Sequence, residues 1–157
     1  MKYLVAYATK TGTTQEIAER IVEVLRKSGK DAEAKPVGEV SDLSSYDRLV
    51  VGGPVNGMKP IPELQAFVEG RAAGSGKPFD LFIVSYLFEN GRSMWRNAVR
   101  KGAESLAAKA GASSLRILGG RIPSALPGFM RFMFGTPKDL PLDVRDWEAI
   151  EDFARSL

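Results

Sequence analysis

Short apolar runs alternate along this chain with stretches whose apolar positions recur every three or four residues. Tyr3 to Ala8 (YLVAYA) is nearly continuous, as suits a strand buried on both faces of a parallel sheet. Turn residues Thr9 to Thr14 follow. A helical stripe of Ile17, Ile21, Val24 and Leu25 comes next, with Glu16, Glu19, Glu23, Arg26 and Lys27 mostly outside it. Ser28-Gly29-Lys30 predicts its end, glycine supplying the left-handed cap. Residues 31–37 alternate weakly and carry a proline, which predicts a short edge strand. Leu49 to Gly53 (LVVGG) reads as a buried strand with an exit loop over Pro54 to Lys59. The pattern then predicts a helix from about Pro60 to Ala72 with Ile61, Leu64, Phe67 and Val68 inward, a proline sitting in its first turn. Phe79 to Ser85 is a fourth strand. A loop over Tyr86 to Gly91 leads to a helix over Ser93 to Lys109 striped by Trp95, Val99, Gly102 and Leu106. Leu115 to Gly119 is a fifth strand, and Asp146 to Arg155 a last helix with Trp147, Ile150, Phe153 and Ala154 inward, capped by Asp143 or Asp146. Strands alternating with helices predict a parallel sheet covered on both faces, and right-handed connections make it a three-layer αβα sandwich.

One stretch breaks the rhythm. Residues 120–145 hold four of the nine prolines, three phenylalanines and two methionines. Phe129, Phe132 and Met133 fall on one side of a short helix, with Met130 and Phe134 flanking. Two readings stand: an extra helix packed on the core, or a docking patch at 126–134 for a membrane, a quinone or a partner protein.

Length and composition narrow the chemistry. At 157 residues the chain has the size of one domain, and a single domain over 1–157 is expected. No run reaches the roughly 20 apolar residues that span a bilayer, and the start does not read as a secretion signal, so a cytoplasmic location is expected. With no cysteine and no histidine, sulfur redox chemistry, thiolate or imidazole metal sites and a Ser-His pair are excluded. Redox chemistry here requires a cofactor. The net charge of +3 is unevenly placed: residues 1–85 balance, residues 86–131 hold eight basic and two acidic side chains, and residues 132–157 hold three basic and six acidic. The basic middle third is either a solvated helix face or a surface for an anionic partner, substrate or membrane. Nucleic-acid binding is not expected, because no motif or aromatic–basic platform accompanies the charge.

The junction Thr9-Lys10-Thr11-Gly12-Thr13-Thr14 is the most informative segment. A strand-to-helix turn at the carboxyl edge of an open α/β sheet presents backbone N–H groups and a positive helix end. Its four threonine hydroxyls and one glycine suit a terminal phosphate, with Lys10 pointing outward; the alternative is a plain helix-capping turn. Neither G-x-G-x-x-G nor a G-K-[ST] ending is present, so a monophosphate fits better than a pyrophosphate. Pro54-Val55-Asn56-Gly57-Met58-Lys59 offers a positive-φ turn at Asn56-Gly57. Ser85-Tyr86-Leu87-Phe88-Glu89-Asn90-Gly91 offers aromatic, polar and backbone groups.

The first of these segments resembles the flavodoxin phosphate-binding signature T-x-T-G-x-T. The resemblance implies strand order 2-1-3-4-5 and flavin mononucleotide (FMN) as cofactor. It also implies a site made of Thr9, Lys10, Thr11, Gly12, Thr13 and Thr14 for the phosphate. Pro54, Val55, Asn56, Gly57 and Met58 would form one ring-binding loop, and Ser85, Tyr86, Leu87, Phe88, Asn90 and Gly91 the other. Tyr86 or Phe88 would be the stacking aromatic, the alternative being that one or both belong to the core. Within the flavodoxin-like proteins the chain is similar to the menaquinone-dependent protoporphyrinogen oxidases and their relatives, through Tyr7 to Ala18, Gly119-Gly120, Arg131-Phe132-Met133 and Asp143-Val144-Arg145-Asp146-Trp147. It departs from them in lacking an aromatic residue in Gly52 to Gly57 and in its compact insert. Three functions follow: an FMN electron carrier with a redox partner protein, an FMN oxidoreductase taking an anionic hydrophobic substrate with a quinone acceptor through Arg121, Arg131 and residues 126–134 at the inner face of the membrane, or an interaction module that has lost flavin. No catalytic side chain is expected, since flavin chemistry needs no protein acid or base here.

Overall fold

A computed structural model describes residues 1–10, 12–56, 59–86, 88, 92–121 and 143–157. Its elements are β1 (Lys2–Tyr7), α1 (Thr13–Lys27), β2 (Asp31–Pro36), β3 (Arg48–Asn56), β4 (Lys59–Pro60), α2 (Pro62–Phe67), β5 (Phe79–Ser85), α3 (Ser93–Ala110), β6 (Ser114–Gly119) and α4 (Trp147–Ser156). Five strands are parallel in the order β2-β1-β3-β5-β6, and β4 adds an antiparallel step onto β3. This is the 2-1-3-4-5 order of the expected three-layer sandwich. The five parallel strands end at one edge, at Tyr7, Pro36, Asn56, Ser85 and Gly119.

Alternation along the strands builds two cores. Leu4, Ala6 and Ala8 join Leu49, Val51, Leu81 and Ile83 on the face covered by Leu64, Phe67, Val68, Ala103 and Leu106 of the central helical segments. Tyr3, Val5 and Tyr7 join Val50, Phe82 and Val84 on the face covered by Ile17, Ile21 and Leu25 of α1 and Ile150, Phe153 and Ala154 of α4. Period-two geometry forces this partition, and burial on both faces explains why these strands read as unbroken apolar runs. Phe82 is central to the second core. Its ring lies 6.1 Å from that of Phe153 and sits directly over Gly52, where a Cβ would come within 2.2 Å of it. The second position of Gly52-Gly53 is less tightly confined, a Cβ there meeting Leu64 at 3.1 Å and Ala8 at 3.2 Å.

The helix ends follow local chemistry. α1 closes with Gly29 at φ 82°, its N–H bonding to Arg26 and that of Lys30 to Leu25, the paired bonds of a glycine-terminated helix. The Asp146 side chain caps α4 by accepting from the Ala149 N–H at 3.1 Å, so of the two expected caps Asp146 is the one used.

Three expectations are revised. The run expected to be one helix from Pro60 to Ala72 is helical from Pro62 but changes type, α-helical over Pro62–Phe67, π-helical over Val68–Ala72 and 3-10 over Ala73–Ser75. Gly70 and Gly74 lower helix propensity there, while the inward set Ile61, Leu64, Phe67 and Val68 is buried as expected. On α3 the buried stripe is Val99, Ala103 and Leu106, with Trp95 and Gly102 half-buried. The expected exit loop after the third strand is instead a hairpin, Val55 facing Pro60 and Asn56 facing Lys59, tied by the Ile61 N–H to the Pro54 carbonyl at 3.1 Å.

Candidate cofactor site

Strand order reverses at β1, which has β2 on one side and β3 on the other, so the turn after β1 and the β3–β4 hairpin open at the topological switch point. In the turn, Gly12 is the N-cap of α1 at φ 85°, a conformation that favours glycine. Its N–H donates to the Thr9 hydroxyl oxygen at 2.9 Å, which draws the loop into a tight ring. Lys10 is exposed, as expected; Thr13 and Thr14 are buried. The first intrahelical bond runs from the Glu16 N–H to the Gly12 carbonyl at 3.2 Å, so the Thr14 and Gln15 amides precede any intrahelical acceptor.

Two hydroxyls are informative. Thr14 Oγ1 and Ser85 Oγ are buried without a hydrogen-bond partner among the described residues. Buried polar atoms are nearly always satisfied, and leaving one unmet costs about 1–3 kcal/mol. Thr14 is the last threonine of the T-x-T-G-x-T pattern, and Ser85 ends β5 at the same edge of the sheet. The orphaned Thr14 donor at the N-terminus of α1 is what an anionic, hydrogen-bonding ligand would satisfy, and Ser85 Oγ is a second unmet group at the same sheet edge. The residues present therefore fit a terminal phosphate and the polar parts of the group attached to it.

Of the ring-binding candidates, Pro54 and Val55 are half-buried and Asn56 exposed at the end of β3. Tyr86 is 8% exposed and belongs to the interior. Phe88 is half-buried, with the Arg100 guanidinium 5.4 Å from its ring centroid. Gly120 lies against the start of this loop, where a Cβ would stand 3.2 Å from the Tyr86 nitrogen. Thr11, Gly57, Met58, Leu87, Asn90 and Gly91 lie outside the described residues, as do Arg131 and the 126–134 segment.

An ionic cluster unforeseen in the sequence stands beside the phosphate turn. Glu16, in the first turn of α1, is paired with Arg145, and Arg121 approaches it at 3.8 Å. Arg145 forks onto Asp143 through Nε (2.9 Å) and Nη2 (2.7 Å), and its guanidinium covers the Trp147 ring at 4.7 Å. Arg20 covers Trp147 too, at 5.0 Å, and pairs with Glu151 at 2.6 Å. The Arg145 hydrogen bond holds the Asp143 carboxyl below its ordinary value, and Asp143 in turn raises Arg145. A carboxylate four residues into the helix would repel a phosphate at its N-terminus, and the two arginines offset it. The same cluster fixes the ends of the late connection. Arg121 bridges Asp143 antiparallel, the Val144 N–H bonds to the Gly120 carbonyl at 3.0 Å, and Gly119 lies against the Val144 carbonyl, where a Cβ would come within 2.4 Å. Gly119-Gly120 is thus explained by two close approaches.

Among the described residues no group of acidic side chains is placed to hold a metal, and no helix is long and apolar enough to cross a membrane.

The comparisons agree with this geometry. Flavodoxin from Streptococcus pneumonia TIGR4 superposes with a TM-score of 0.63 at 21% identity, covering 99% of this chain and 96% of that one. Fusobacterium nucleatum flavodoxin bound to flavin mononucleotide gives 0.57 at 18% identity, covering 99% and 95%. Rubredoxin oxygen:oxidoreductase from Desulfovibrio gigas gives 0.60 at 13% identity, with 98% of this chain covering 34% of that longer protein. No curated protein sequence matches the chain. The family model described as Flavodoxin domain matches residues 4–134, most of the chain and all three candidate loops, and the protein therefore belongs to the flavodoxin domain family.

Proposed function

We propose that this protein binds FMN at the carboxyl edge of β1, β3 and β5 and transfers electrons to or from a protein partner. The observation that carries the reading is the Thr14 Oγ1, buried at the N-terminus of α1 with no hydrogen-bond partner among the described residues, within a turn of the family's phosphate-binding pattern. The FMN named in the description of the Fusobacterium nucleatum flavodoxin supports the choice of ligand. Thr9, Gly12, Thr13 and Thr14 would hold the phosphate. Asn56 at the hairpin and Phe88, more exposed than Tyr86, would border the ring. Bound there, FMN supplies one- and two-electron redox chemistry, which a chain without cysteine lacks. The side chains bind and orient it, and no protein acid or base is required.

The test is the visible spectrum of protein purified without added cofactor, with the released flavin identified by chromatography. A flavin spectrum with one FMN per chain is expected. A colourless protein that also fails to take up added FMN overturns the reading and leaves an interaction module on a flavodoxin-like scaffold.

A second reading is favoured by one observation: the Arg121 Nε is buried without a hydrogen-bond partner among the described residues, at the foot of the Phe/Met-rich connection and next to α1. On this reading the Arg121 guanidinium would meet an anionic hydrophobic substrate such as a porphyrinogen, with a quinone as acceptor and the inner face of the membrane as the location. Porphyrinogen oxidation by the FMN-loaded protein with a menaquinone analogue, faster than free FMN supports, is the expected result. Equal rates sink this reading and leave the carrier.

A further inference from the structure

We propose that the first half of α3 is the docking face for an acidic electron-transfer protein, a partner assignment that rests on the carrier reading above. Arg92, Arg96, Arg100 and Lys101 fall within ten residues, all four exposed, and the first acidic residue of the helix is Glu104. Arg96 and Arg100 stand one turn apart on one side of the helix, beside the buried stripe that starts at Val99, and Arg92 is its N-cap. Arg100 fixes which way that side faces, because its guanidinium stands over Phe88 in the loop after β5. The arginine row therefore borders the candidate ring site. α3 also packs against β4, where the exposed Lys59 adds to the same basic surface.

Folding does not call for this arrangement. Cations in the first turns of a helix oppose its dipole, and α3 has no acidic residue in its first turn to offset them. Arg96 and Lys101 have no ion-pair partner among the described residues, whereas Lys109, further along the same helix, pairs with Glu69 at 3.4 Å. A cluster of one sign at the edge where electrons would enter and leave steers a partner of opposite sign. Its composition favours a protein face over a lipid surface. Guanidinium forks match carboxylates in pairs, and the exposed Met94 with the half-buried Trp95 supplies the Arg, Met and aromatic mixture of protein interfaces. A membrane contact would instead show an apolar wedge, and Met1 and Met94 are the exposed large apolar side chains among the described residues.

The experiment measures equilibrium binding of the full-length protein, with and without FMN, to an acidic plant-type ferredoxin, to cytochrome c as a basic control, and to phosphatidylglycerol vesicles. Wild type should bind the ferredoxin at low salt and lose affinity steeply as the Debye length falls below about 10 Å. The R96E/K101E double variant should weaken ferredoxin binding tenfold or more and gain affinity for cytochrome c, with its FMN content and circular dichroism unchanged. Ferredoxin affinity unaltered by the double variant, or absent in wild type, overturns the proposal. So does a variant that loses vesicle binding alone, which would make the face a membrane contact. Docking is read without FMN as well, so a protein that holds no FMN sinks the carrier reading while the ferredoxin result still judges this one.

Discussion

Replacing Thr14 by valine preserves side-chain shape and β-branching and removes only the hydroxyl. In the free protein that hydroxyl has no partner among the described residues, so its loss should leave the melting temperature unchanged or slightly higher. In the FMN complex the same hydroxyl would donate to a charged oxygen, a bond worth about 1.5–3 kcal/mol, so the FMN dissociation constant should rise roughly 10- to 100-fold. Flavin fluorescence titration of both proteins checks this. An unaltered dissociation constant would return Thr14 to the role of a capping residue. Taken alone, the turn reads more readily as a plain helix cap, and the resemblance to the flavodoxin signature T-x-T-G-x-T is what turns it toward a phosphate cradle. The structure adds one fact to that choice: Thr14 Oγ1 is buried with no hydrogen-bond partner among the described residues.

At the level of elements, the strands and most helix ends were readable because their causes are local: alternation, a glycine after the last turn of α1, an aspartate ahead of α4. The fault at the third strand has a local cause too. Pro54 and Asn56 look like punctuation, yet Val55 finds a partner in Pro60, and the run becomes a hairpin. The Glu16–Arg145–Asp143 cluster was not readable, since it joins the first turn of α1 to a segment more than a hundred residues later. Its contribution has a definite pH signature. Asp143 is held below its ordinary 3.8 by Arg145, so the pairing stabilises the fold fully above that value and is lost as pH falls through the lower folded value. Asn at position 143 should therefore lower the melting temperature at neutral pH. The side chain is 43% exposed, which limits the loss to about 1 kcal/mol or less, or roughly 2–4 °C for a chain of this size. Thermal melts from pH 7 downward should show the gap between wild type and D143N closing below about pH 4. A gap that persists at low pH would mean that the carboxylate charge is not what the cluster uses.

For the whole molecule, the phosphate turn makes a claim that ring-binding loops alone do not: the fold should recognise FMN by its tail. Riboflavin carries the same ring without the phosphate, so the pair isolates the turn after β1 from the loops after β3 and β5. A ligand at about a hundredfold excess over its dissociation constant stabilises the native state by about 2.7 kcal/mol, roughly 5–10 °C for a domain of this length. FMN should produce a shift of that size, and riboflavin at equal concentration much less, because the orphaned Thr14 hydroxyl and the N-terminus of α1 would have nothing to bind. Differential scanning fluorimetry with both ligands decides the point. Equal shifts would show that the ring loops dominate and that the threonine turn serves mainly to start α1. Shifts from neither would remove the flavin and leave the edge of the sheet, with its arginine-lined helix, as a surface for a partner alone.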